Sequence, residues 1–91
     1  ITVKTESRLS LQWHRHRDET WVVARGTAKV IVGEEEHTLG RGQSMFVPRN
    51  THHRIENISS VESLEIIEVQ TGDYLGEDDI VRVEDDFGRV D

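Results

Sequence analysis

The stretch Gly42-Gln-Ser-Met-Phe-Val-Pro-Arg-Asn-Thr-His-His-Arg-Ile-Glu-Asn57 contains the signals that decide the fold. A turn glycine precedes a short apolar strand, Met45 to Val47, and this strand ends at Pro48, whose fixed φ breaks the chain direction. The next strand then opens with His53. A hairpin of this kind presents one imidazole at a fixed depth inside a small β structure, so His53 is a candidate ligand.

A second group of metal-binding residue types lies upstream, in Gln12-Trp-His-Arg-His-Arg-Asp-Glu19. Alternate residues of a strand share a face, so a strand through this segment would point Gln12, His14 and His16 the same way. Imidazole and carboxylate groups are common ligands of divalent metals. With His53, the pattern predicts a metal site formed by His14, His16, Glu19 and His53, although Glu19 has the alternative of an ion pair with Arg17.

Length and composition exclude several classes of protein. The 91 residues are enough for one domain, and the absence of cysteine rules out disulfides and thiolate metal sites. A net charge of -7 argues against a surface for nucleic acid or an anionic membrane. The chain lacks an apolar run of membrane-spanning length, and we expect a cytoplasmic protein. Because it starts with Ile in a strand pattern, we expect it to be a piece of a longer polypeptide.

The alternation of apolar and polar residues predicts an all-β fold. Arg8 to His14 alternates clearly, Leu64 to Gln70 forms a long strand with Glu68 and Gln70 on one parity, and short strands are separated by glycine-rich turns. This pattern is typical of an antiparallel barrel or sandwich. We expect residues 71–91 to form a short C-terminal capping segment over one mouth of the barrel.

The spacing of these residues resembles the cupin superfamily. The second cupin motif is matched by Gly42, Pro48, His53 and Asn57, with Asn50 in place of its middle glycine. The first motif pairs His-x-His with a Glu and a Gly that have six residues between them. His14, His16, Glu19 and Gly26 match it, except that two residues separate His16 from Glu19 where three or four are usual. The resemblance implies a jelly-roll, or double-stranded β-helix, barrel, with residues 1–91 as one cupin domain truncated at its N-terminus.

A closer resemblance covers nearly the whole chain. Five stretches are similar to type II mannose-6-phosphate isomerase: Arg8 to Gln12, His14 to Val23, Gly26 to Val30, Ile67 to Gly72 and Tyr74 to Arg82. In that family this cupin usually follows a mannose-1-phosphate guanylyltransferase in one bifunctional polypeptide. The resemblance therefore implies a covalently linked guanylyltransferase domain and a role in supplying GDP-mannose synthesis. Thr20 departs from the family, which often carries a further histidine there.

The resemblance implies interconversion of mannose 6-phosphate and fructose 6-phosphate through an enediol. Such chemistry needs a Lewis acid, a base near the carbon-bound proton, and an anchor for the phosphate. His14, His16, Glu19 and His53 would hold a divalent metal, with Zn²⁺ favoured and Mn²⁺, Co²⁺, Ni²⁺ or Mg²⁺ as alternatives. We expect Glu68 to be the base, with Glu77 as the fallback. The expected substrate contacts are Gln12, which could instead be a further ligand, and the phosphate candidates Arg17, Arg54 and Arg82.

Two other functions remain open from the sequence. The chain could be a non-catalytic cupin module that binds a sugar phosphate or dimerises a longer enzyme, and Thr20 would then mark a degraded site. It could also be a different cupin metalloenzyme, such as an oxygenase with redox iron. Apolar residues on both strand faces lead us to expect a homodimer. Fold alone does not choose among these functions.

Overall fold

The computed structural model describes residues 1–90, which form ten β-strands and no helix. The strands are β1 (Thr2–Val3), β2 (Ser7–Arg8), β3 (Leu11–Trp13), β4 (Arg17–Arg25), β5 (Ala28–Val32), β6 (Glu35–Leu39), β7 (Ser44–Val47), β8 (His53–Asn57), β9 (Leu64–Gly72) and β10 (Val81–Glu84). The described part of the chain thus offers no helix that could span a membrane.

Two antiparallel sheets make up the fold. The first has the strand order β1-β9-β4-β7, and the second has the order β10-β3-β8-β5-β6, with β2 added alongside β8. The longest pairing, between β4 and β9, places Glu19 opposite Gln70 and Trp21 opposite Glu68. In the second sheet, Gln12 of β3 lies opposite His53 of β8. These two registers bring polar side chains of both sheets to the same part of the interior.

Strand β4 shows how alternation divides the interior between an apolar core and a polar site. Its buried residues alternate along the strand, so Arg17, Glu19, Trp21 and Val23 all face inward. Val23 and Trp21 join the apolar core, whereas Glu19 and Arg17 continue the same face as a buried polar cluster. The core comprises Val3, Trp21, Val23, Ala28, Val30, Leu39, Val47, Ile55, Leu64 and Ile66. One inward face therefore stabilises the fold at one end and carries functional groups at the other.

The expected strand through Gln12 and His16 is wrong. Strand β3 ends at Trp13, and the chain turns before β4 begins at Arg17. The physical reason lies far along the chain: the Asp79 carboxylate accepts hydrogen bonds from the main-chain N–H groups of Arg15 and His16, both at 2.9 Å. These amides therefore donate to Asp79 and not to a neighbouring strand. As a result, His14 and His16 do not share a face as alternate residues of one strand would.

After β9, residues 73–80 form a covering segment over the cavity and lead into an edge strand. Glu77 and Ile80 line the interior cavity, as a capping segment should. Residues Val81 to Glu84 then form β10, which pairs with β3 at the edge of the second sheet and places Arg82 opposite Gln12. The last residue of the predicted capping segment, Asp91, lies outside the described residues.

Candidate metal centre

A cavity of about 240 Å³ lies between the two sheets, at the polar end of the core. Its walls come from both sheets and from the segment that covers them. The polar lining residues are Gln12, His14, Arg17, Glu19, His53, Glu68, Gln70 and Glu77. Apolar side chains, including Trp21 and Ile55, form its floor toward the core.

Three potential metal ligands meet in this cavity: His14, Glu19 and His53. One donor atom from each lies within 4.8 Å of the others, and each residue is at most 3% exposed. His14 Nε2 is 3.2 Å from Glu19 Oε2, and the centroids of the two imidazole rings are 5.0 Å apart. Two imidazoles and a carboxylate form a donor set that suits Zn²⁺ and other first-row divalent ions.

Each of the three side chains is held by specific neighbours. His14 Nδ1 hydrogen-bonds the main-chain carbonyl of Asp79, which leaves Nε2 facing the cavity. Glu19 accepts hydrogen bonds from Trp21 Nε1 on one oxygen and from Arg17 Nε on the other, both at 3.0 Å. The edge of His53 packs against Trp21 at 78° between the ring planes. The arrangement is therefore preorganised before any ligand is bound.

Burial and close contact shift the pKa of the ionisable groups in the cavity. Burial lowers the pKa of His53 to about 4. Burial opposes charge on Glu19, yet its hydrogen bonds with His14 and Glu68 outweigh that effect and hold its pKa well below the usual range. Burial opposes charge on His14 too, but hydrogen bonds to Glu19 and to the Asp79 carbonyl raise its pKa. Burial and the contact with Glu19 raise the pKa of Glu68 to about 7.

His16 is not part of this cluster. Its side chain is exposed, packs edge-on against the Tyr74 ring, and lines a neighbouring open cleft of about 550 Å³. The structure thus separates His16 from the three residues with which the sequence grouped it, because the strand that would have aligned them ends at Trp13.

Gln12, the expected substrate contact or further ligand, lies two residues before His14. It lines the cavity and lies opposite His53 in the sheet. If the motif is aligned as Gln12-x-His14, four residues separate His14 from Glu19, which is the usual cupin spacing. The short gap seen in the sequence therefore results from aligning the motif on His16, and the Gln12 side chain lines the same cavity as the three candidate ligands.

The three arginines proposed as phosphate contacts lie in different places. Arg17 lines the cavity, where its Nη2 is 3.4 Å from His14 Nε2. Arg54 is buried on the opposite face of β8 from His53, and it donates to the Leu9 carbonyl and to Glu84. Arg82 lies on β10 at the edge of the second sheet. Only Arg17 of this set lines the cavity in the part of the chain that the structure describes.

Both candidate bases reach the cavity. Glu68, on β9, accepts a hydrogen bond from Gln70 Nε2 at 3.1 Å and contacts Glu19. Glu77 enters from the covering segment. Sequence reasoning overlooked Asp79, whose effect on His14 spans 65 residues and leaves no local signal. It also overlooked the Trp21 hydrogen bond to Glu19, which strand parity would have predicted because the two residues are two apart.

The cavity residues fit a divalent metal. His53 Nε2 and Arg17 Nη1 are buried without a hydrogen-bond partner among residues 1–90, and the first of these is a metal-binding atom of a residue in the cluster. His14 donates its other ring nitrogen to a carbonyl, which is the usual arrangement of a metal-binding histidine. An ion on these donors would compete with the Arg17 guanidinium for the Glu19 carboxylate.

Comparison with known proteins identifies the fold. The chain superposes on the cupin domain of Cnp3 from Schizosaccharomyces pombe with a TM-score of 0.74 and 17% identity, covering 79% of this chain and 52% of that one. It superposes on oxalate decarboxylase from Bacillus subtilis with a TM-score of 0.79 and 21% identity, covering 90% and 22%. These similarities confirm the predicted cupin fold and, at such identity, establish only the fold.

Sequence comparison is more specific. The chain is 54% identical to the xanthan biosynthesis protein XanB of Xanthomonas campestris pv. campestris, over 99% of this chain and 19% of that protein. It is 52% identical to the alginate biosynthesis protein AlgA of Pseudomonas aeruginosa, over 99% and 18%, and 45% identical to a mannose-1-phosphate guanylyltransferase of Escherichia coli, over 98% and 19%.

The chain thus spans about a fifth of the length of the curated relatives it matches. A family model described as mannose-6-phosphate isomerase C-terminal matches residues 1–85, a range that includes every side chain of the cavity. The chain therefore belongs to the mannose-6-phosphate isomerase C-terminal family.

Proposed function

We propose that this domain is a metal-dependent isomerase that interconverts mannose 6-phosphate and fructose 6-phosphate. The observation that carries the proposal is the buried cluster of His14, Glu19 and His53 beside a second carboxylate, Glu68, in one cavity. The family and the names of the relatives support the choice of substrate. Gln12 stands beside the cluster as a further ligand or a substrate contact.

The reaction moves one proton between neighbouring carbons. In this proposal, Glu68 takes the proton from C2 of open-chain mannose 6-phosphate and returns it to C1. The hydroxyl proton of O2 passes to O1, so the carbonyl moves from C1 to C2 through an enediol. Burial favours the protonated form of Glu68, which helps this carboxyl to act both as base and as acid. A divalent ion held by the three ligands would supply Lewis-acid polarisation of the substrate oxygens.

Arg17 has two features that suit a substrate contact. Its Nη1 is buried and has no hydrogen-bond partner among the described residues, and its guanidinium is fixed by Glu19. It would donate to an oxygen of the sugar phosphate. Arg54 is engaged with Glu84 and the Leu9 carbonyl, so it supports the fold and is not proposed again as a phosphate contact.

The same Arg17 geometry favours a second candidate, a non-catalytic module. A guanidinium that contacts both Glu19 and His14 supplies the cluster with positive charge in the absence of an ion. Under this alternative the buried residues stabilise a binding or dimerisation domain of a longer protein. For either function, we also propose that the domain forms a homodimer, is linked to a guanylyltransferase domain and is located in the cytoplasm.

The deciding experiment measures isomerisation of mannose 6-phosphate by this chain, with and without Zn²⁺ or Mn²⁺, together with metal content. We expect metal-dependent turnover that is lost in His53→Ala together with the metal. Glu68→Gln should keep the metal and lose turnover, whereas Glu65→Gln, an exposed glutamate on the same strand, should keep both. Stoichiometric metal without turnover would favour the non-catalytic module, and no metal in the unsubstituted chain would refute the metal centre.

A further inference from the structure

The structure assigns Asp79 as the positioning residue that holds His14 in the form that can bind a metal. Asp79 belongs to the covering segment after β9 and is 7% exposed, which is unusual for a carboxylate. No metal or substrate contact is needed to explain the burial of its carboxylate, because both carboxylate oxygens accept hydrogen bonds from the turn that contains His14.

The carboxylate of Asp79 shapes the turn between β3 and β4. Its two oxygens accept the main-chain N–H groups of Arg15 and His16, one each, at 2.9 Å. These two bonds satisfy amides that would otherwise belong to a strand ladder, so the chain leaves β3 directly after Trp13. The consequence is that His14 turns into the cavity while His16 points to the outside.

The main-chain carbonyl of the same residue sets the tautomer of the ring. His14 Nδ1 contacts this carbonyl, and a carbonyl oxygen can only accept, so Nδ1 must carry the proton. In the neutral ring the lone pair then lies on Nε2, where Arg17 Nη2 can donate to it at 3.4 Å and where the ligand cluster lies. A hydrogen bond of this kind is what orients a metal-binding histidine.

Two further contacts, besides those of Asp79, hold the turn between β3 and β4. The carbonyl of His14 accepts the main-chain N–H of Asn50 at 2.7 Å. Behind the turn, a Cβ added to Gly72 would lie 2.2 Å from the His16 carbonyl oxygen, so β9 approaches the turn as closely as a glycine allows. With the turn fixed by these two neighbours, the contacts of Asp79 decide which way the His14 ring faces.

This inference rests on the metal centre of the proposed function but not on isomerase activity. The first test is therefore made on the unsubstituted, metal-free chain by long-range ¹H–¹⁵N correlation of the histidine rings. Because the pKa of His14 is raised above the ordinary histidine value of about 6.5, the pH is increased until the ring is neutral, and the remaining proton should then lie on Nδ1. A His14 ring protonated on Nε2 would overturn the inference whatever the metal affinity proves to be.

The second test compares Asp79→Asn and Asp79→Ala with Asp78→Asn. Asp78 is exposed and hydrogen-bonds the Tyr74 hydroxyl, so its variant controls for a change of charge in the same segment. Asp79→Ala keeps the main-chain carbonyl but loses the two carboxylate bonds that hold residue 79 against the turn, so we expect it to lower Zn²⁺ affinity by about 10- to 100-fold in calorimetry and to mix the His14 tautomers. Asp79→Asn retains one acceptor and should lie between Asp79→Ala and the unsubstituted chain.

Asp78→Asn should change neither the Zn²⁺ affinity nor the ring. Equal Zn²⁺ affinity in the Asp78 and Asp79 variants would overturn the inference, as would an unchanged His14 tautomer in a folded Asp79→Ala chain. If Asp79→Ala fails to fold, the same comparison is made with Asp79→Asn. An absence of Zn²⁺ binding by the unsubstituted chain would refute the metal centre and leave the tautomer measurement to decide on Asp79.

Discussion

The buried pair of Arg17 and Glu19 yields the sharpest prediction about stability. The two side chains are joined at 3.0 Å, and the residues are only 6% and 3% exposed. Removing one partner of a buried pair leaves an uncompensated charge and typically costs about 3–5 kcal/mol. Glu68 lies close enough for its pKa to respond to the Arg17 charge, so it offers partial compensation. We therefore expect Glu19→Gln to lose about 3 kcal/mol, at the lower end of that range.

Replacing both partners should cost much less than the sum of the two single changes. In the double variant Arg17→Met, Glu19→Gln, no charge of the pair remains buried, and Gln can still accept the Trp21 hydrogen bond. A double-mutant cycle should then show a coupling of about 2 kcal/mol or more. Urea denaturation with a chelator present measures it, because a loss of about 3 kcal/mol lowers the midpoint by about 2 M at an m value of about 1.5 kcal/mol/M.

An exposed ion pair of the same chain serves as the matched control. Arg25 and Glu62 are 3.2 Å apart, but their side chains are 63% and 46% exposed. Solvent screening limits such pairs to roughly 1 kcal/mol or less, so the cycle Arg25→Met, Glu62→Gln should show weak coupling. A buried pair that couples no more strongly than this exposed pair would refute the reasoning.

Three further predictions concern positions outside the ligand cluster. Gly72→Ala should be strongly destabilising in urea denaturation, because its Cβ would meet the His16 carbonyl oxygen at 2.2 Å; a variant of unchanged stability would contradict this. Asn57→Ala should cost about 3 kcal/mol in the same assay, since the buried amide serves three main-chain groups, and a loss below about 1 kcal/mol would count against it. The Arg89 hydrogen bond lowers the pKa of Asp85 to about 2, so its stabilising effect should be present above about pH 4 and vanish as the pH falls toward 2. NMR titration should show this pKa rising in Arg89→Gln; an unchanged value would exclude the contact.

Much of the fold follows from alternation in the sequence. Alternate residues of β4 face inward, and this alternation alone predicts that Glu19, Trp21 and Val23 share one face. The same rule places Arg54 on the face of β8 opposite His53, and so argues against Arg54 as a cavity residue. Strand parity applied to neighbouring residues would therefore have placed Arg54 outside the cavity that contains His53.

The turn that separates His14 from His16 could not be predicted in that way. Local pattern continues the strand through both residues, and the contact that ends it comes from Asp79, 63 and 64 residues away from the two amides. Long-range hydrogen bonds of this kind override local propensity without changing composition or periodicity. The spacing of the first cupin motif was the one useful indication in the sequence. When the motif is aligned on Gln12 and His14, four residues lie between His14 and Glu19, as is usual in cupins.

The contact of His14 with Asp79 shows that the barrel and the segment between β9 and β10 both contribute to the site. The barrel supplies Gln12, Glu19 and His53 from strands or strand ends, and proteins of 17–24% identity share that barrel. The segment between β9 and β10, residues 73–80, contributes the Asp79 carbonyl that contacts His14 Nδ1. It also contributes Glu77 and Ile80 to the lining of the cavity. The family model extends through this segment to residue 85. The fold thus supplies most of the donors, and the segment between β9 and β10 adds the contact to His14 Nδ1 and part of the cavity wall.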